Sequence, residues 1–220
     1  MPAELVGEQM QAVMEDLRPD AIKIGMTGNV EIISEIARLL HQYSPRQVVL
    51  DPVMVSTSGH NLMTDEAVEA ICTLLLPEVS LVTPNLHEAA VLLQQPIHTV
   101  DDMEHAAHLV YEKYHCACLV KGGHLTGNEM CDVLYDGHEL HLFGARRIHS
   151  GNLHGTGCTL SSAIATFLAQ GFPLYEAVEL AKTYITKAIE AGKDLHIGQG
   201  NGPLCHFPYL VNPVNPLTEE

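Results

Sequence analysis

Positive charge is scarce in this sequence. Lys and Arg together number 11 against 27 Asp and Glu, so the 220-residue chain has a formal net charge of −16 at pH 7. A polyanion would meet a repulsive field, and no local basic patch interrupts it, so nucleic acid is disfavoured as a partner. Charged residues make up 17% and hydrophobic ones 46%, which excludes a disordered chain and supplies a sizeable core.

Long apolar runs are also missing. No stretch approaches the ~18 apolar residues that a membrane-spanning helix needs. The start of the chain, Met1-Pro2-Ala3-Glu4, lacks the basic-then-apolar order of a signal peptide. We therefore expect a soluble, cytosolic protein with no membrane partner, and the length fits one domain over residues 1–220.

Several familiar site motifs do not occur. The six cysteines form no C-x-x-C pair, which is typical of reduced thiols and gives a zinc site little support. The segment that begins at His87-Glu88 starts like a zinc-protease motif, but Val91 stands where the second histidine must be. A Gly-x-x-x-x-Gly-Lys-Ser/Thr loop is absent, which excludes a P-loop NTPase.

Helical periodicity alternates along the chain with short continuous apolar runs. The helical spacing predicts helices over residues 4–17, 30–42, 65–76, 85–94, 101–114, 156–170 and 174–191. The apolar runs predict buried strands over residues 21–24, 48–50, 79–83 and 117–121. Such alternation is typical of an α/β fold, a parallel sheet with helices on both faces.

The pattern changes after residue 129. Residues 130–135, the dipeptide Asp136-Gly137 and residues 139–143 predict a β-hairpin with a tight turn, and hence an antiparallel edge on the sheet. Residues 193–220 are rich in Gly, Pro and Asn and predict an extended C-terminal tail.

Ligands of open parallel sheets bind beyond the carboxyl ends of the strands. The residues at those positions are Gly25-Met26, Asp51-Pro52-Val53, Thr83-Pro84-Asn85 with Glu88, Lys121-Gly122-Gly123-His124, and the loop 150–158. Two carboxylates, a lysine and a glycine-rich loop suit a metal-nucleotide, because carboxylates bind Mg²⁺ through water and lysine and backbone N–H groups bind phosphate.

The most informative segment is Gly155-Thr156-Gly157-Cys158, at the start of a predicted helix. Its glycines let backbone N–H groups turn toward an anion at the positive end of the helix, where they could stabilise a phosphoryl group in transfer. The same position is expected to lower the pKa of Cys158. The alternative is a helix start whose small residues pack closely on a neighbour.

Structural interpretations stay open for the other candidates. Asn85 and Glu88 have the spacing of a helix capping box. Asp51 before Pro52 could be a turn residue, and Lys121 could be a strand-end lysine with its charge in solvent.

A series of segments resembles the hydroxymethylpyrimidine/phosphomethylpyrimidine kinases of thiamine biosynthesis, which belong to the ribokinase-like superfamily. The segments run from about Leu5 to Phe207 in the family's order: Lys23-Ile24-Gly25-Met26, Asp51-Pro52-Val53-Met54, Thr83-Pro84-Asn85-Leu86-x-Glu88, Lys121-Gly122-Gly123-His124, His154-Gly155-Thr156-Gly157-Cys158-Thr159-Leu160-Ser161 and Gly200-Asn201-Gly202-Pro203. The resemblance implies a ribokinase-like three-layer αβα domain and a homodimer. It also implies ATP-dependent phosphorylation of an aminopyrimidine alcohol and then of its monophosphate; pyridoxal phosphorylation and an inactive nucleotide-binding protein are the alternatives.

The resemblance also assigns roles. Gly155, Thr156 and Gly157 would bind the γ-phosphate of ATP, and Cys158 would replace the carboxylate base that many relatives use on the acceptor alcohol. The cofactor-binding residues would be Asn85, Glu88, Lys121 and Asp51, with Glu88 and Asp51 acting on Mg²⁺. Met26 and Val53 would line the pyrimidine pocket.

One departure from the family concerns the N-terminus. Family members begin with a strand and a loop of the form Gly-x-Asp-x-Ser-Gly-Gly-Ala-Gly, which this sequence does not contain. The resemblance therefore implies a chain that is N-terminally truncated relative to the family, without the first strand and the substrate loop.

Overall fold

A computed structural model describes residues 1–54, 62–123 and 129–209 of the chain. The strands within these ranges are β1 (Ile22–Ile24), β2 (Val48–Leu50), β3 (Leu81–Val82), β4 (Ala117–Val120), β5 (Glu129–Tyr135) and β6 (Leu140–Arg146). The helices are α1 (Ala3–Asp16), α2 (Val30–Tyr43), α3 (Asp65–Ala70), α4 (Leu86–Leu93), α5 (Val100–Tyr114), α6 (Thr156–Ala169) and α7 (Leu174–Gly192).

The six strands form one sheet in the order β1-β2-β3-β4-β5-β6. The first four strands are parallel, and β5 and β6 add an antiparallel hairpin at the edge. This confirms the α/β prediction with its antiparallel edge. The parallel strands are neighbours in chain order, because each helical connection returns the chain to the adjacent position in the sheet.

Alternate residues of the inner strands belong to two separate cores. In β2, Val48 and Leu50 pack into one core together with α2, α4 and α5, whereas Val49 faces the other core together with α6 and α7. Successive strand side chains point to opposite faces, so apolar residues at every position indicate a sheet covered on both sides. The result is the predicted αβα layering.

Two local predictions need correction. The helix expected over residues 65–76 is α-helical only to Ala70 and continues as a π-helical turn, Ile71–Leu75, and a 3₁₀ turn, Leu76–Glu78. Pro77 has no N–H to donate to the carbonyl four residues before it, and its ring crowds that carbonyl, so a regular α-helix cannot continue through it.

The hairpin turn is displaced by one residue from the predicted Asp136-Gly137 dipeptide. The last strand pair joins Tyr135 to Leu140, and the Asp136 N–H also donates to the Glu139 carbonyl at 3.3 Å, which leaves Gly137 and His138 at the tip of the turn. The Asp136 carboxylate accepts the backbone N–H groups of His138 and Glu139, both at 2.8 Å. This side chain satisfies two donors of the turn, so the predicted tight turn is present with Gly137 and His138 at its centre.

Residues 193–209 contain no helix or strand apart from one isolated bridge, between Pro203 and His154. Within the described ranges, no helix is both long enough and apolar enough to span a membrane.

Candidate active site

The carboxyl ends of the four parallel strands meet at one edge of the sheet. Ile24 lies beside Leu50, and Leu50 beside Val82, so the segments that follow these strands are neighbours. The pairing continues past the strands, because the backbone N–H of Asp51 donates to the Ile24 carbonyl at 2.9 Å and Asn85 forms a parallel bridge with Lys121. The topology therefore brings the predicted post-strand residues together.

A buried ion pair stands at the centre of this edge. The Nζ of Lys121 lies 2.7 Å from Oδ1 of Asp51, and the Asp51 residue is only 2% exposed. The hydroxyl of Thr83 lies 3.4 Å from the same oxygen. A buried carboxylate and a buried ammonium hold each other in place, because removing either one leaves an uncompensated charge.

Asn85 and Glu88 form the capping box that their spacing predicted. The Asn85 side chain accepts the Glu88 N–H at 2.9 Å, and Glu88 Oε2 accepts the Asn85 N–H at 2.8 Å. The Glu88 carboxylate is also buried and lies 4.0 Å from Lys121 Nζ. Burial raises the pKa of Glu88, while the charge of Lys121 and backbone N–H groups oppose that rise. The cap is thus present, and it directs a carboxylate toward the buried ion pair.

The N-terminus of α6 lies over the same pair. Gly155 precedes the helix in the left-handed region, with φ of 84°, and has no side chain that could cap it. The first N–H groups of a helix have no intrahelical partner, so this end can accept an anion. A Cβ built on Gly157 would lie 3.3 Å from Lys121 Nζ and 3.7 Å from Asp51 Oδ2. The Thr156 hydroxyl donates to the Leu153 carbonyl at 2.7 Å, which fixes the turn before the helix.

The surroundings of Gly155 and Gly157 do not indicate close packing on a neighbouring element. A Cβ on Gly155 would meet nothing within 4 Å, and the atoms near Gly157 are the charged ends of two side chains. A helix start that packed closely on a neighbour would instead bring backbone or apolar atoms to both positions.

The pKa expected for Cys158 is wrong in direction. Desolvation raises the pKa of the Cys158 thiol, and the charge of Asp51 and a hydrogen bond with that carboxylate raise it further. Lys23 and Lys121 lower the pKa, but not enough to reverse the shift. The residue as a whole is exposed, yet desolvation of its thiol and the nearby Asp51 carboxylate outweigh the helix terminus, so the thiol is not acidic.

Lys23 is a site residue that the sequence analysis quoted only as part of a motif. Its ammonium is near enough to lower the pKa of Cys158, and it lies 2.7 Å from where a Cβ on Gly25 would stand. The signal in the sequence is a lysine inside an apolar strand with a glycine two residues later. That glycine leaves the space that the ammonium occupies.

Met26 and Val53 follow the neighbouring strands β1 and β2. Met26 is 63% exposed and Val53 is half-buried, with its backbone N–H donating to the Asp51 carbonyl at 2.8 Å. They therefore lie at the same edge of the sheet as Asp51, with Met26 largely in solvent. His124, the last residue of the Lys121-Gly122-Gly123-His124 segment, lies outside the described residues.

A cavity of about 580 Å³ opens beside Cys158, between α6, α7 and the C-terminal segment. It reaches Gly155 at one end and is lined by Tyr184 and His206 at the other. Thr159 Oγ1 and His206 Nε2, both in its wall, lie 3.2 Å apart. This volume is within the range of small-molecule sites, ~300–1,000 Å³.

Comparison with known proteins agrees with this arrangement. The model of the family described as phosphomethylpyrimidine kinase matches residues 1–205. A hydroxymethylpyrimidine/phosphomethylpyrimidine kinase of Rhizobium meliloti is 48% identical over 206 residues, which cover 93% of this chain and 77% of the relative.

Solved structures give the same result. The phosphomethylpyrimidine kinase of Clostridium difficile is 39% identical, with a TM-score of 0.77, over 86% of this chain and 77% of that one. The pyridoxal kinase of Staphylococcus aureus, solved in complex with ADP, is 31% identical, with a TM-score of 0.86, over 96% of this chain and 76% of that one. The chain belongs to the phosphomethylpyrimidine kinase family.

Proposed function

We propose that this chain transfers the γ-phosphoryl group of ATP to 4-amino-5-hydroxymethyl-2-methylpyrimidine and then to the resulting monophosphate. One observation supports this most directly, namely the open N-terminus of α6 directly over the buried Asp51–Lys121 pair. Backbone donors, an ammonium and a carboxylate then converge on one point. Phosphoryl transfer asks for positioning and charge stabilisation rather than for covalent chemistry, and these groups supply both.

Two sets of positive groups would stabilise the negative charge of the transferred phosphoryl group. The N–H groups of Gly157 and Cys158 in the first turn of α6 would face the anion with the positive end of the helix dipole, whereas the Thr156 N–H donates to the Leu153 carbonyl at 3.3 Å. Lys121 contributes an ammonium that Asp51 holds in place. Fixed donors of this kind stabilise charge without reorganising during the reaction.

The acceptor alcohol would lose its proton to Cys158. Because the thiol has a raised pKa, its thiolate is a minor but strongly basic form near neutral pH. The thiolate sulfur would accept the proton of the alcohol as the alcohol oxygen forms its bond to phosphorus and the bond to ADP breaks, while Asp51 stays paired with Lys121. Met26 and Val53 would contact the pyrimidine ring of the acceptor.

Mg²⁺ fits this site as an ion that keeps most of its water. In the described part of the chain, no three His, Cys, Asp or Glu residues form a group that could hold a metal by themselves. Mg²⁺ is commonly bound through one or two carboxylates plus substrate phosphates, and Glu88 and Asp51 would hold it in that way. Its chemistry would be to neutralise phosphate charge, and Asn85 would keep the Glu88 carboxylate in place through the cap.

Product analysis tests the proposal. The purified chain is incubated with ATP and Mg²⁺ and with the pyrimidine alcohol, its monophosphate or pyridoxal, and phosphate esters are followed by mass spectrometry. We expect the pyrimidine monophosphate to appear first and the diphosphate afterwards. Lys121→Met should reduce transfer strongly, whereas Lys113→Met, which removes an exposed lysine of α5, should not.

The other outcomes identify the alternatives. Faster transfer to pyridoxal than to either pyrimidine would make the chain a pyridoxal kinase. Binding of ATP without transfer to any of the three acceptors would make it an inactive nucleotide-binding protein. Homodimeric assembly, a cytosolic location and a single domain over residues 1–220 stay predictions, and light scattering tests the first of them.

A further inference from the structure

Asp132 is a buried carboxylate on β5 that lies outside the candidate site. The residue is 6% exposed, and each of its two oxygens has a partner. Oδ1 accepts the backbone N–H of Gly122 at 2.8 Å, and Oδ2 accepts a hydrogen bond from Nζ of Lys182 on α7 at 2.5 Å. One side chain therefore joins the hairpin, the turn after β4 and a helix of the second layer.

The hydrogen bond to Gly122 takes the place of a backbone hydrogen bond between β4 and β5. The β4–β5 ladder ends where Val120 pairs with Val133. The N–H of Gly122, the second residue after that pair, is buried and is satisfied by the Asp132 side chain instead of a backbone carbonyl. The turn is held tightly against β5, because a Cβ on Gly122 would lie 1.9 Å from the Cys131 carbonyl oxygen.

This contact fixes the backbone that carries Lys121. The N–H of Lys121 itself donates to the Pro84 carbonyl at 2.8 Å, on the β3 side of the turn. The next N–H, that of Gly122, donates to Asp132 on the β5 side. Lys121 is thus anchored from both neighbouring strands, and its side chain reaches Asp51 from that anchored position.

Lys182 supplies the charge that Asp132 requires. The two side chains are 9% and 14% exposed, so the pair is largely removed from water. A buried carboxylate without its cation would carry a large desolvation penalty. The ammonium of Lys182 therefore compensates the charge of the carboxylate and holds it in its orientation toward the turn, and it connects α7 to the candidate site.

We propose that Asp132, held by Lys182, is a positioning residue for Lys121: it contacts neither ATP nor acceptor and sets the turn from which the Lys121 ammonium meets the phosphates. The inference depends on the proposed function, since it assigns Lys121 a role toward ATP. A misplacement of about 1 Å in such a group can cost ~10²-fold in rate.

The first test separates the contact with Gly122 from the ion pair. Asp132→Ala removes both, and we expect kcat/KM for ATP to fall by about 10- to 100-fold while KM for the pyrimidine changes less than about twofold. The double variant Asp132→Asn/Lys182→Met keeps an acceptor for Gly122 and removes both charges. It should recover most of the loss, and failure to exceed Asp132→Ala would overturn the inference.

The second test asks whether Asp132 acts through Lys121. In a double-mutant cycle, Asp132→Ala should reduce kcat/KM for ATP only slightly once Lys121→Met is present, because effects that share one route do not add. Independent effects would multiply, and that result would refute the inference. Asp136→Ala is the matched control, since it removes a hairpin carboxylate that also accepts backbone N–H groups but lies at the loop.

Stability and function are measured separately. Thermal unfolding is recorded for every variant, and Asp132→Ala/Lys182→Met replaces Asp132→Ala in the cycle if the alanine variant cannot be purified, because it also removes the acceptor for Gly122 but leaves no unpaired lysine. The cycle is also measured on the dissociation constant of ADP. If the unaltered chain transfers phosphate to neither pyrimidine, the proposed function fails, whereas the ADP cycle still decides whether Asp132 acts through Lys121.

Discussion

Replacing Gly157 by alanine tests whether the N-terminus of α6 binds an anion or only packs against its neighbours. The Cβ of an alanine there would lie 3.3 Å from Lys121 Nζ and 3.7 Å from Asp51 Oδ2. Ordinary contacts lie at ~3.5–4.0 Å, so the flexible end of Lys121 needs to move by only a few tenths of an ångström. Alanine is favoured over glycine inside helices by up to ~1 kcal/mol. We therefore expect Gly157→Ala to keep or raise the free energy of unfolding.

The effect on activity should go in the opposite direction. The methyl group fills the space between the helix N-terminus and the ion pair, which is where the proposed mechanism places the transferred phosphoryl group. Displacing that group from its donors typically costs ~10²-fold in rate. We expect kcat to fall by about this factor while the protein remains as stable as the parent.

The assay compares three glycine variants by unfolding and by turnover. Gly144→Ala on β6, where a Cβ meets nothing within 4 Å, is the neutral control. Gly155→Ala tests backbone strain, because φ of 84° costs a residue with a Cβ about 1–2 kcal/mol. A stable Gly157→Ala variant with the parent's kcat would refute an anion site at this terminus.

Three further predictions concern the side chains of the site. Cys158→Ala should lower kcat by ~10²-fold or more with nucleotide affinity nearly unchanged, and Cys158→Asp should retain part of the activity if the residue acts as a base. Glu88→Gln can still form the cap, so a metal-phosphate role predicts a higher Mg²⁺ concentration for half-maximal activity, and the parent's Mg²⁺ profile would leave only the cap. Iodoacetamide should alkylate Cys158 with a rate that rises through a higher pH range than for an ordinary cysteine, because its pKa is raised. Asp51→Asn should move that profile to lower pH, as peptide mass spectrometry would measure, and an unmoved profile would contradict the thiol–carboxylate contact.

Most of the fold follows from apolar periodicity alone. The β2 strand, Val48–Leu50, was predicted residue for residue, because a short apolar run before Asp51-Pro52 can hardly be anything else in an α/β chain. The start of α4 was also predictable, since Asn85 is a strong N-cap. The π-helical turn Ile71–Leu75 could not be predicted, because the apolar residues continue through it with helical spacing.

The site was predictable to the extent that it follows strand ends. Asp51 and Lys121 were grouped because parallel strands deliver their carboxyl ends to one edge, and the structure joins them. The bond between Asp132 and Lys182 spans 50 residues and follows no local pattern, so only the packing of α7 on the sheet reveals it. The prediction of a lowered pKa for Cys158 was wrong for a similar reason. It depends on the desolvation of the thiol and on Asp51, which the helix position alone does not show.

Two capping boxes in this chain show why a motif alone could not decide its role. Thr99 and Asp102 form one at the surface, where backbone hydrogen bonds lower the pKa of an exposed carboxylate. Asn85 and Glu88 form the other with the same hydrogen bonds, yet burial raises the pKa of Glu88. A cap needs only an acceptor oxygen, which an exposed carboxylate supplies without loss of hydration. Burying Glu88 is therefore an additional cost that capping does not explain and that the proposed Mg²⁺ site would explain.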